Sequence, residues 1–288
     1  MSEYRDLSAG LAARMALEKY GFRFSHSLGQ NFILDDGLVS RIVDAAQVWP
    51  GERVLEIGPG AGVMTRCLAE RGARVTAVEV DRSLEPVLAA VLDGFDVRFV
   101  FEDILKLDLA ALMGEEPFTV VANLPYYITA DVVLRLLTGP KKPERITIMV
   151  QKEAAERMMA RPNTKTWCAL AATAQYFGAI EPLLELPPSA FTPPPHVDSV
   201  LLGIRLYDEK PCAAKDEALL LRVIAAAFAM RRKTLANNLT AAFSVNRETA
   251  LQWIARLGLD ERVRGEALSI GELCRLSDVI GEARAEKA

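Results

Sequence analysis

The most regular feature of the chain is a repeated exchange between short apolar runs and longer segments whose apolar residues recur every three or four positions. Residues 53–57, 74–80, 97–101, 118–122 and 145–150 are rich in Val, Ile, Leu and Phe, the composition of strands buried on both faces. Between them, 63–71, 84–92 and 130–137 carry helical periodicity, with Gly72 stopping the first. Strands that alternate regularly with helices predict a doubly wound α/β fold around a parallel sheet. Upstream, 7–20 reads as a helix ended by Gly21 and packed as a flap ahead of the domain, and Asp35 is placed to cap a helix running to about Val48. Downstream, helices start at about Glu153 and Trp167. Two more strands follow at 180–186 and 197–206, joined by the proline-dense connector 187–195. Asp208-Glu209-Lys210-Pro211 reads as a linker, and everything after Lys215 is helical in pattern, with breaks near Ser244-Val245-Asn246 and Gly258. The expected organisation is a sheet domain over 1–207 and a small all-helical domain over 208–288.

Composition narrows the chemistry. With 288 residues and 51% hydrophobic content the chain can bury a substantial core. A formal charge of −4 argues against a protein that coats nucleic acid through its overall field, so any polyanion must meet a local patch. Two patches qualify. Residues 218–247 contain no acid but hold Arg222, Arg231, Arg232, Lys233 and Arg247, and Lys141, Lys142, Arg145, Lys152, Arg157, Arg161 and Lys165 form a second run. The four cysteines lack C-x-x-C spacing, and His26 and His196 are the only histidines, which leaves little material for a metal site or a histidine triad. No apolar run approaches a membrane span and no leader is read at the N-terminus, so the expectation is a soluble cytoplasmic protein.

The candidate chemistry sits at strand ends. In open α/β sheets ligands bind beyond the carboxyl ends of the strands. There the chain has Gly58-Pro59-Gly60-Ala61-Gly62 between a strand and a helix, Glu79 closing the next strand, Asp103 after the third and Asn123-Leu124-Pro125-Tyr126 after the fourth. The glycines allow close approach of backbone to ligand, Glu79 suits ribose hydroxyls and Asp103 an adenine amino group. Two carboxylates without an arginine disfavour a phosphate-rich cofactor. An exocyclic base amine is a poor nucleophile because its lone pair is delocalised into the ring. The Asn123 side-chain oxygen and the Leu124 carbonyl, exposed where Pro125 interrupts the ladder, can each accept one amine hydrogen and so localise that pair. Tyr126 offers a face on which a flipped-out base can stack, and the stiff proline loop could hold Phe191 as an aromatic wall or bury it as a core residue.

With these pieces together, the sequence resembles the ribosomal RNA adenine dimethyltransferase family over nearly its whole length. The motifs carrying the resemblance are Leu28-Gly29-Gln30-Asn31-Phe32, Glu56-Ile57-Gly58-Pro59-Gly60, Asn123-Leu124-Pro125-Tyr126, Gln151-Lys152-Glu153, Phe191-Thr192-Pro193-Pro194-Pro195 with Val197-Asp198-Ser199, and Arg231-Arg232-Lys233-Thr234. The resemblance implies a Rossmann-like class I methyltransferase sheet of seven strands, the last reversed, with a C-terminal helical domain that recognises RNA. It implies S-adenosyl-L-methionine as cofactor, held by Asn31, Ile33, Gly58, Gly60, Glu79, Asp103 and Asn123. Catalysis falls to Asn123, Leu124, Pro125, Tyr126 and Phe191, and RNA contact to Lys152, Arg231, Arg232 and Lys233. The implied reaction is N6,N6-dimethylation of two adjacent adenosines in small-subunit ribosomal RNA, by a monomer acting on an assembly particle without a metal. Two further readings are a large-subunit methyltransferase of the macrolide-resistance type and a ribosome-assembly factor whose binding role does not depend on methylation. The chain departs from the family in having Ser25-His26-Ser27 where basic residues are usual and Trp167-Cys168 where a Tyr-Gly pair is common.

Overall fold

The computed structural model describes residues 4–25 and 28–286; His26 and Ser27, within the Ser25-His26-Ser27 departure, lie outside the described residues. The apolar runs form β1 (Arg53–Ile57), β2 (Arg74–Glu79), β3 (Val97–Phe101), β4 (Thr119–Asn123), β5 (Arg145–Gln151), β6 (Gly178–Leu186) and β7 (Ser199–Leu206). They make one sheet in the order β3-β2-β1-β4-β5-β7-β6. β1 pairs in parallel with both β2 and β4, β3 with β2, and β5 with β4, whereas β7 runs antiparallel to β5 with Gln151 opposite Ser199. The final strand of the chain is therefore the reversed one. Strand order changes direction at β1, between β2 and β4, and this opens a crevice at their carboxyl ends.

The N-terminal helix α1 (Ala9–Lys19) is not a flap. Ala12, Ala13 and Ala16 are fully buried, and the helix packs on α3 (Val63–Glu70) and α4 (Glu85–Val91). Alanine on that face lets the helices approach closely. Buried Arg66 holds the preceding segment, donating to the carbonyls of Tyr4, Arg5 and Leu7 while pairing with Glu70 at 2.8 Å. Helix α2 (Asp36–Ala45) starts, as expected, at Asp35, whose carboxylate accepts from Leu38 N–H at 2.7 Å, and α5 (Leu109–Met113), α6 (Thr129–Thr138) and α7 (Lys152–Met158) follow β3, β4 and β5.

The chain divides into two compact units. One holds the sheet and comprises residues up to Ala155 together with Glu181–Leu206; the other comprises Glu156–Ile180 and Tyr207–Ala288. A cut at 207 would leave 156–180 with the sheet, but that segment belongs with the C-terminal helices. The reason is visible in its packing. Trp167 is fully buried, donates its indole N–H to the Leu268 carbonyl at 3.0 Å and meets Phe228 edge-on. In the same unit α8 (Ala169–Phe177), α10 (Leu235–Phe243) and α12 (Ile270–Ala285) pack on α9 (Glu217–Ala229), and α11 (Arg247–Arg256) lies against α10. Gly265 crosses α9 so closely that a Cβ there would lie 2.0 Å from the Ala227 carbonyl oxygen. Cys212 and Cys274, distant in sequence, bring their thiols to 3.2 Å.

One residue breaks the apolar pattern of β1. Glu56 is 0% exposed, and neither carboxyl oxygen has a hydrogen-bond partner among the described residues. Burial pushes its pKa from 4.5 to about 8; the Thr65 hydroxyl lies near enough to ease this without completing a hydrogen bond, and Glu79 adds to it. The group is therefore protonated in the fold at neutral pH and ionised in the unfolded chain. The folded state binds the extra proton between about 4.5 and about 8, so stability falls as pH rises across that window. Glu56→Gln keeps the shape without the titration. The stability difference between mutant and wild type should thus shift in the mutant's favour by up to about 1.4 kcal/mol per pH unit from pH 5 to 8. Urea unfolding at a series of pH values reads this directly, and parallel stability curves for the two proteins would refute it.

Candidate active site

The crevice at the strand ends is a cavity of about 250 Å³. Its wall is assembled from the turn after β1, the acidic ends of β2 and β3, the Asn123–Ile128 segment after β4 and the Leu28–Ile33 loop. Asn31, Ile33, Gly58, Gly60, Glu79, Asp103, Asn123, Leu124, Pro125 and Tyr126, all singled out from the sequence, line it. Glycine is required where the walls come closest: at Gly60, with φ +56°, a Cβ would stand 2.9 Å from the Phe32 ring. Gly58, with φ +73°, faces the Asn123 carbonyl oxygen in the same way at 3.2 Å.

Backbone amides aim the carboxylates. Glu79 is nearly buried; its Oε1 accepts from Asp81 N–H at 2.9 Å and its Oε2 from Gly60 N–H at 3.2 Å. Desolvation raises its pKa, and those two N–H groups oppose the rise. Each oxygen keeps a lone pair for a further donor. Asp103 Oδ1 accepts from Leu105 N–H at 2.9 Å, and Lys106 stands 3.7 Å from Oδ2.

Asn123 ends β4 with its amide fixed. Nδ2 donates to the Asn31 carbonyl at 2.9 Å, so the side-chain oxygen remains as an acceptor at the cavity wall. Tyr126 is anchored through its hydroxyl, 2.8 Å from Ser199 Oγ at the start of β7, and burial raises its pKa. Ser199 is fully buried, and nothing in a lone serine at a strand start signals that partnership.

Phe191 packs in the core behind the cavity. It is 3% exposed, does not line the cavity and belongs to the hydrophobic cluster that includes Phe32, Leu186 and Leu201. Its neighbour Thr192 forms a two-bond bridge with Phe32, 2.8 Å each way, so the proline loop braces the cavity wall from behind. Gln30 was visible in the sequence only as part of a motif, yet its side chain joins Asp81 to the backbone of Ser25.

The cationic residues divide by position. Arg145 opens β5, at the opposite sheet end from Asn123, and is held in a half-buried ion pair with Glu52 at 2.7 Å. Lys141 donates to the Glu115 carbonyl at 2.7 Å. Lys152 follows β5 at the cavity end and pairs with Glu185 at 3.3 Å. In the helical unit, Arg231, Arg232 and Lys233 form an exposed turn before α10, whose N-cap is Thr234. Arg231 contacts Glu266 at 3.3 Å and the Lys165 carbonyl, whereas no acid among the described residues pairs with Arg232 or Lys233. Also among the described residues, no group of three or more His, Cys, Asp or Glu side chains could hold a metal ion, and no helix is long and apolar enough to cross a membrane.

Residues 21–282 match the family model described as ribosomal RNA adenine dimethylase. The chain is 40% identical over 286 residues to ribosomal RNA small subunit methyltransferase A of Geobacillus kaustophilus, covering 96% of this chain and 98% of the relative. It is 42% identical over 266 residues to the protein of that name in Clostridium perfringens, covering 92% and 93%. Among solved structures it is similar in fold to a dimethyladenosine transferase from Plasmodium falciparum, with TM-score 0.72, 23% identity and coverage of 88% and 97%. It is also similar to the 23S rRNA methyltransferase ErmE, with TM-score 0.65, 25% identity and coverage of 87% and 100%. The strand ends that line the cavity lie within the matched span, and the chain belongs to the ribosomal RNA adenine dimethylase family.

Proposed function

We propose that this chain transfers methyl groups from S-adenosyl-L-methionine to the N6 amine of two adjacent adenosines in small-subunit ribosomal RNA, within an assembly particle in the cytoplasm. The observation that carries this reading is the fixed amide of Asn123, with its nitrogen occupied by the Asn31 carbonyl and its oxygen left to accept at the cavity wall. The residues present fit the cofactor: two glycines admit close contact, Glu79 retains a lone pair on each oxygen for ribose hydroxyls, and Asp103 can accept from an adenine amino group. When bound, the cofactor supplies an electrophilic methyl on a sulfonium centre. Asn123 Oδ1 and the Leu124 carbonyl then accept the two amine hydrogens and localise the lone pair, while Tyr126 stacks against the base. Most of the rate gain in such a site is positioning. The amine proton leaves to water after transfer, so no strong base is needed.

Mass-spectrometric mapping of dimethyladenosine in both ribosomal RNAs from a strain lacking this gene tests the substrate. Loss from the small-subunit RNA supports the proposal. Loss from the large-subunit RNA instead would establish the macrolide-resistance type, and loss from neither would leave a binding role. In the purified protein, Asn123→Ala should reduce transfer by at least ~10² while folding is retained. Near wild-type turnover by the folded variant would remove Asn123 from the mechanism. Glu79→Gln must turn an amide NH2 toward either Asp81 N–H or Gly60 N–H, so an acceptor is lost as well as a charge. Calorimetry should show cofactor binding weakened by about 1.5–3 kcal/mol, with RNA affinity unchanged.

RNA contact is assigned to the Arg231–Lys233 turn in the helical unit and, in the sheet unit, to Lys152. Because Arg231 is engaged by Glu266 and Lys165, Arg232 and Lys233 carry the phosphate contacts. Replacing both with alanine should flatten the salt dependence of binding to the ribosomal substrate by about 0.7–0.9 log units per lost contact, with melting temperature unchanged. Arg231→Ala should do the reverse, lowering the melting temperature more than the salt slope. An unaltered slope in the double variant would exclude this face.

A further inference from the structure

The loop from Leu28 to Phe32 touches both ends of the cavity. At one end the Gln30 side-chain amide donates from Nε2 to Asp81 Oδ2 at 2.6 Å, and Asp81 N–H in turn holds Glu79 Oε1 at 2.9 Å. At the other end the next residue, Asn31, gives its carbonyl to Asn123 Nδ2 at 2.9 Å. The loop has little helix or ladder structure of its own to fix it. Gly29 takes φ +57°, and past Asn31 the chain is held by the paired bonds between Phe32 and Thr192. The Gln30 Oε1 accepts from Ser25 N–H at 2.8 Å, so both ends of the amide are engaged. A continuous path therefore runs from Glu79 through Asp81 and Gln30 to Asn31 and Asn123, and each step is a hydrogen bond or a short stretch of backbone.

We propose that Gln30 is a positioning residue that couples the Glu79 end of the cavity to the orientation of the Asn123 amide, so that the contacts that hold a ligand at the cofactor end also hold the amine acceptor in place. This inference rests on the function proposed above. A ligand held by Glu79 restrains Asp81, Asp81 restrains Gln30, and the adjoining Asn31 carbonyl is thereby kept on the Asn123 nitrogen. Without that carbonyl the amide is free to turn its NH2 toward the incoming amine, where it repels the hydrogens it has to accept. Gln30 touches no reacting atom in this scheme.

The test is a swap of the hydrogen bond. Gln30→Glu keeps the acceptor for Ser25 N–H but sets a carboxylate against that of Asp81. Asp81→Asn in the same chain restores a donor, now from Asn to Glu, while its oxygen still serves Ser83. With small-subunit particles as substrate, Gln30→Glu should lower kcat about tenfold or more. Its affinity for S-adenosylhomocysteine, measured by calorimetry, should change much less. The double variant should recover kcat to within about threefold of wild type, because the coupling belongs to the pair. Hydrogen exchange supplies a readout without turnover. S-adenosylhomocysteine should protect the amides of residues 28–33 in wild type and in the double variant, but not in Gln30→Glu. If Gln30→Glu does not fold, Gln30→Met, which removes both hydrogen bonds without adding charge, is read in the same way. Unchanged kcat in the single variant, or a double variant no better than the single, would overturn the inference. A wild-type protein that binds S-adenosylhomocysteine yet methylates no ribosomal RNA would instead bring down the function proposed above, and ligand-independent exchange in its loop would dispose of the coupling as well.

Discussion

An amide side chain presents an acceptor dependably only if its nitrogen is already occupied. In this protein that condition is met by one hydrogen bond, from Asn123 Nδ2 to the Asn31 carbonyl, and much of the surrounding architecture serves to place those two groups together. Parallel pairing of β4 with β1 and β5 fixes Asn123 at a strand end, and the bridge between Phe32 and Thr192 holds the far side of the Asn31 loop. The proline-dense connector, which contributes no atom to the cavity wall, acts through that bridge.

Charge inside the sheet domain follows the same economy of direction. Glu79 is desolvated but tied by two backbone amides, which allows a carboxylate to stay oriented where water is scarce. Glu56, one strand over and wholly enclosed, has no such ties and stays protonated. The contrast lies in the backbone. The turns after β1 and β2 each direct an N–H group at Glu79, from Gly60 and Asp81, whereas the amides of β1 are committed to the pairings with β2 and β4.

The strand ends were legible in the sequence because they combine two independent signals, an apolar run and an abrupt polar stop. Glu79, Asp103 and Asn123 each follow that pattern, and all three line the cavity. Residues that act through a partner were not legible. Ser199 reads as an ordinary strand start until the Tyr126 hydroxyl is found against it, and Gln30 reads as one polar residue among several until Asp81 is beside it. Phe191 can be read either way from the sequence because an aromatic in a stiff loop suits a core as well as a wall, and in the structure its ring is buried. The packing of 156–180 with the C-terminal helices is hidden in the sequence for a similar reason: it turns on Trp167, whose partner at Leu268 is 101 residues away.

That separation also sets an order of events at the ribosome. Residues 156–177 are synthesised before β6 and β7, but the C-terminal helices that enclose them come last. At elongation rates of about 5–20 residues per second, the Trp167 indole waits roughly 5–20 s for the carbonyl that will receive its N–H. The sheet can close in that interval, since all seven strands have been made once Leu206 emerges. The nascent chain can thus complete the sheet while the segment that carries Trp167 is still without the helices that bury it, the stage at which its apolar surface is most open to aggregation.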